Sequence, residues 1–127
     1  MALPTHTAQV NVTFDATTKQ ITIAGDGVDT AKNEIQIWVG YDYTINLNVV
    51  TVDPSTPAAV LQDLGFDSPG QPPWLSSAPQ SSGNSPAWTL TAQNGTLNEA
   101  AGVDLFVGLP NTEPTMLDPS IINVDPP

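Results

Sequence analysis

Apolar residues recur at every second position over much of this chain, and that period confines it to strands. Val10, Val12 and Phe14 alternate with Asn11 and Thr13, and Ile21 and Ile23 resume the pattern after the polar run Asp15-Ala16-Thr17-Thr18-Lys19. A strand sends successive side chains to opposite faces, so this alternation marks a sheet with one apolar side. The spacing predicts a β-hairpin whose turn is opened by an aspartate bonding to nearby backbone. Gly25-Asp26-Gly27-Val28-Asp29 makes the next break, with glycines free to take positive φ. Ile35, Ile37 and Val39 repeat the period, as do Ile45, Leu47 and Val49, then Trp88, Leu90 and Ala92, then Val103, Leu105, Val107 and Leu109. Ile121-Ile122-Asn123-Val124 forms a short last strand. The pattern predicts an all-β fold, an immunoglobulin-like antiparallel β-sandwich of six to eight strands. A helical reading arises once, over 57–64, where Thr56 would cap, Pro57 would open and Gly65 would close a short helix.

At 127 residues the chain reads as one domain, 1–127, with a core large enough to need neither metal nor cross-link. Within it, 53–87 is a long Pro/Ser-rich connection. Val60, Leu61, Leu64, Phe66, Trp74 and Leu75 give its first half apolar anchors, whereas Ser76 to Pro86 has none. Met1 to His6 has neither a basic stretch nor an apolar run, so no signal peptide is expected and the cytoplasm is the default location. The densest apolar stretch, Ile45 to Val52, is far too short and too interrupted to span a membrane.

Charge narrows function further. Thirteen acidic side chains face two lysines and no arginine, for a net charge of −11. Nucleic acid and anionic membrane surfaces require a basic footprint, and two lysines cannot supply one. Without cysteine, thiol catalysis, zinc–cysteine sites and disulfides are excluded. His6 is the one imidazole, and it stands in an N-terminal tail expected to fray, so a serine–histidine pair is not expected. Carboxylates are the abundant reactive groups. Asp26 with Asp29, Asp63 with Asp67, and Asp118 with Asp125 are the pairs a carboxylate-dependent hydrolase could use. Hard oxygen ligands also suit calcium, yet Asp26-Gly27-Val28-Asp29 is too short for an EF-hand loop. No cofactor is expected.

Acid–proline dipeptides are the most distinctive motif: Asp53-Pro54, Glu113-Pro114, Asp118-Pro119 and Asp125-Pro126. A residue before proline is held extended, so each pair is expected to close a strand and blunt a sheet edge. Glu113-Pro114 followed by Leu117-Asp118-Pro119-Ser120-Ile121-Ile122-Asn123 resembles the C-terminal signature of the DP-EP family of small bacterial β-sandwich proteins of unknown function. The same run is similar to the end of inclusion-body proteins of the AidA/PixA type. The resemblance covers about the last fifteen residues; it implies a β-sandwich of bacterial, intracellular origin and brings no catalytic residues to transfer. The expected function is therefore non-enzymatic, exercised by binding or by self-association as a homo-oligomer. Trp38, Tyr41, Tyr43 and Trp74 are the candidate contact surface, with Trp38 open to a second reading as packing on the far side of its strand. A carbohydrate-binding or calcium-assisted lectin-like module built on Trp74 and turn aspartates is the first alternative, and a carboxylate-dependent hydrolase the second.

Overall fold

The structure, a computed structural model, describes residues 4–15, 17–52, 59–67, 70, 72–77, 87–93 and 96–126. Among them run eleven strands: β1 (Thr5–Asp15), β2 (Gln20–Gly25), β3 (Val28–Asp29), β4 (Glu34–Trp38), β5 (Asp42–Thr51), β6 (Val60–Phe66), β7 (Leu75–Ser77), β8 (Ala87–Gln93), β9 (Ala100–Gly108), β10 (Thr115–Leu117) and β11 (Ser120–Val124). They build two sheets in a sandwich-like, all-β fold, as the alternation predicts. One sheet runs β2-β1-β5-β8-β7; the other runs β10-β9-β11-β4-β3, with β6 paired to β9. No helix among the described residues is long and apolar enough to cross a membrane.

Burial follows parity. Val10, Val12 and Phe14 of β1, Ile45 and Leu47 of β5, and Val103, Leu105 and Val107 of β9 are all buried, while the residues between most of them are half-buried or exposed. The β1–β2 hairpin forms as expected. Asp15 Oδ1 accepts the N–H groups of Thr17 and Thr18 at 2.9 and 3.3 Å, and Lys19 takes φ 62° to close the turn. Gly25 and Gly27 also have positive φ, and a Cβ on either would strike a carbonyl oxygen, that of Gln9 or of Gln36.

Besides the strand count, eleven against the six to eight expected, two features depart from expectation. First, the sheets are mixed: β1 runs parallel to β5, and β4 runs parallel to β11. Alternation reports which face is buried and is blind to strand direction. Between β2 and β5 the chain crosses to the second sheet as β3 and β4, then returns alongside β1 in the same direction.

Second, residues 60–64 lie in strand β6 rather than a helix, and 57 and 58 fall outside the described residues. The helix was expected from the capping preferences of Thr56, Pro57 and Gly65, and the strand that runs there instead has a three-residue spacing between Leu61 and Leu64. A bulge explains it: Leu61 pairs with Val107, Asp63 with Phe106 and Leu64 with Leu105, so Gln62 is an extra residue. Both leucines thereby reach the core side. Gln62 Nε2 donates to the carbonyls of Leu109 and Thr112 at 3.0 and 3.1 Å, which holds the bulge in place. The 53–87 connection is thus partly regular structure, with Leu61, Trp74 and Leu75 buried as its anchors; 78–86 lies outside the described residues.

Among the described residues Asn123 is the one buried polar residue, 1% exposed. Its side-chain and backbone N–H groups both donate to the Glu99 carbonyl at 3.0 Å, and its own carbonyl accepts the Asn98 N–H at 2.8 Å. It pins the turn before β9 to β11. Replacing Asn123→Ala is expected to lower unfolding free energy by about 1–3 kcal/mol in urea titration. A loss below about 0.5 kcal/mol would contradict this anchoring role.

Candidate functional site

Acidic side chains converge at one place among the described residues. Asp67, Asp104 and Asp118 each offer a carboxylate oxygen, all within 4.8 Å of one another, on the outer face of the second sheet. Strand register builds this cluster. Leu117 pairs with Leu105 and Ser120 with Gly102, so β10 and β11 hold one register along β9 across the intervening Asp118-Pro119. That register sets Asp118 opposite Asp104. β10 ends before this dipeptide, as expected, yet the carbonyl of Pro119 accepts the Val103 N–H at 2.9 Å, so β9 stays bonded across the break. On the other side of β9, Asp67 follows β6 and donates its N–H to the Gly102 carbonyl at 3.0 Å. A Cβ at Gly102 would run into the Asp67 carboxylate, so this glycine makes room for it.

Crowding shifts the acids. Asp104 is pushed up to about 6, first by loss of solvent between the flanking strands, then by hydrogen bonding to and repulsion from Asp67, with Asp118 adding to both. Asp118 is raised as well, by desolvation first and Asp67 next, while a hydrogen bond from Asp104 opposes the shift. A shared proton on Asp104 fits both directions. Chemically, three carboxylate oxygens could hold a hard cation, but Ca²⁺ takes about six to eight oxygens, so carbonyls or water would have to complete the shell.

The residues singled out in the sequence scatter. Asp118 joins the cluster, whereas Glu113 and Asp125 are exposed at the two ends of the β10–β11 line, and Asp53 lies outside the described residues. None of the expected pairs forms a site by itself. Asp26 instead accepts the Gln9 N–H at 3.0 Å, and Asp29 the Lys32 N–H at 3.2 Å, as turn carboxylates do. Asp104, in the middle of an alternating strand, was not among the expected residues; its one signal was a charge flanked by two buried positions.

The aromatic residues do not form the exposed surface expected of them. Tyr43 is 5% exposed and Trp74 6%, while Trp38 and Tyr41 are half-buried. Trp38 N–H donates to the Tyr43 hydroxyl at 3.2 Å, a bond between the two sheets, and burial first of all raises the Tyr43 hydroxyl. His6 is no frayed tail residue. It lies in β1, paired with Tyr43, its ring 5.1 Å from Trp38 and 5.2 Å from Tyr43. These rings close one end of the sandwich around a cavity of about 50 Å³. Trp74 is held separately, its indole N–H donating to Glu99 Oε1 at 2.6 Å beside an open groove of about 440 Å³.

The outer face of the first sheet has another chemistry. Its outward positions from Thr7 to Thr13 on β1, Thr44 to Val50 on β5 and Ala87 to Thr91 on β8 are all uncharged, and most are Thr, Asn or Gln. Thr7, Thr44, Thr91 and Ser76 stand opposite one another across four strands. Side-chain bonds cross the strands: Ser76 to Thr91 at 2.6 Å, Thr89 to Asn46 at 3.2 Å and Asn48 to Gln9 at 3.3 Å.

Set against known protein families and curated proteins, the chain matches no family model and no curated sequence.

The acid cluster makes a pH prediction. Between 3.8 and about 6 the folded chain holds more protons at Asp104 than the unfolded chain does. Stability from this group is therefore greatest below about pH 4 and falls as pH rises to about 6. Asp104→Asn should raise the melting temperature at neutral pH and flatten its decline over that window. A lower neutral-pH melting temperature for the variant would contradict the repulsion.

Proposed function

We propose that the chain is a non-enzymatic binding module that makes contact through the outer face of its five-stranded sheet. The observation that carries this reading is the composition of that face. In a chain with net charge −11, the outward side chains of its three central strands, between Asp15 at one end and Asp42 at the other, are neutral. Cross-strand hydrogen bonds hold them in place, which lowers the entropy lost when a partner docks. Buried Tyr43 and Trp74 serve the fold in this reading, and contact passes from aromatic rings to amides and hydroxyls. The resemblance of residues 113–123 to the DP-EP proteins implies a β-sandwich and brings no catalytic residues to transfer to this chain.

Amide chemical shifts in a labelled sample test the reading. Titration with a panel of oligosaccharides, peptides and divalent cations, and a concentration series of the protein alone, should move resonances of Thr44, Asn46, Asn48, Thr89 and Thr91 for at least one component. Shifts confined to residues around Asp67, Asp104 and Asp118, or turnover of any panel member, would overturn it.

A further inference from the structure

We infer that the partner of this face is a neutral polysaccharide, an inference that rests on the binding-module reading and names its ligand class. Surplus carboxylates repel anionic partners at long range, and a cationic partner would be drawn to the acidic outer side of the second sheet instead. What fits the first sheet is a partner that brings no charge to desolvate.

The side chains fit sugar hydroxyls. An amide offers both donors and acceptors, and a threonine hydroxyl offers one donor and two acceptor lone pairs, matching a hydroxyl that also does both. Thr7, Thr44, Thr91 and Ser76 form a hydroxyl row about 14 Å long across four strands, and Gln9, Asn46 and Thr89 form the next row. Such rows suit a chain of linked sugar rings better than a single ring.

The face is also continuous with a concave feature. Gln93 is next in the outward series Thr89, Thr91, and it lines the open groove of about 440 Å³ with Pro73, Trp74, Thr96 and Glu99. Trp74 is fixed by Glu99 and nearly buried, so the groove would grip through hydrogen bonds and not through ring stacking.

A second copy of the chain fits less well. The neutral face measures about 14 by 20 Å, so two copies pairing on it would bury about 560 Å² in total, against about 1,200–2,000 Å² for a stable protein interface. Two chains of charge −11 would also repel each other on approach.

The test is co-sedimentation of the whole chain with insoluble cellulose, chitin and mannan, with immobilised polygalacturonate as the anionic comparison, at low and high salt and with chelator. Retention on at least one neutral polysaccharide is expected, insensitive to salt and to chelator, with none on polygalacturonate. Asn46→Glu should weaken retention at least about tenfold. Should that variant melt early, Thr91→Ala serves in its place, with a weaker but measurable loss. Absence of retention on all three neutral polymers overturns the inference, as does retention that chelator abolishes or that both folded variants keep. If amide shifts still place a non-sugar partner on this face, the binding-module reading survives and only the glycan assignment fails.

Discussion

Everything in this fold hangs on the pairing of β1 with β5, parallel and unbroken from Thr5 opposite Asp42 to Phe14 opposite Thr51. Side chains in a strand alternate with period two, so one register decides both faces together. It sends Val10, Val12 and Phe14 into the core beside Ile45 and Leu47, and with the same stroke lines Thr7, Gln9 and Asn11 up with Thr44, Asn46 and Asn48 outside. A slip of one residue would bury amides and expose Phe14. The core and the neutral surface are therefore one structural decision, and the depth of the core burial stabilises the arrangement of the surface.

The second sheet obeys the same logic with a different outcome. There β9 accepts β6 on one edge and the β10–β11 line on the other, and the outward positions collect Asp67, Asp104 and Asp118. Asp118-Pro119 ends β10, yet β9 stays bonded across it, because the carbonyl of Pro119 accepts from Val103 while the proline ring leaves no N–H in need of a partner. The sandwich thus shows two unlike outer sides, one acidic and repulsive, the other neutral and rich in paired amides and hydroxyls.

Much of the fold was legible in the sequence, because parity in Val10-Asn11-Val12-Thr13-Phe14 and its repeats states which side chains are buried. The hairpin turn was legible through Asp15, whose carboxylate bonds locally. Strand direction was not, since a β1–β5 pairing reads the same in residues whether parallel or antiparallel. Nor was the bulge at Gln62, which gives Leu61 and Leu64 a helical spacing inside a strand. Of the candidate site, Asp118 was visible through its motif, but its neighbours come from 51 and 14 positions away (Asp67 and Asp104), and only register joins them. His6 was misplaced because a terminal Pro/Thr-rich run carries no periodic sign that it pairs with Tyr43.

The β1–β5 register can be measured without any ligand. Nuclear Overhauser contacts between backbone protons of Asn11 and Asn48, and of Val12 and Val49, report it directly. Both are expected, in the pattern of parallel strands and extending toward His6 and Tyr43. Contacts displaced by one residue, or the pattern of an antiparallel pair, would contradict this register and take the neutral face with it.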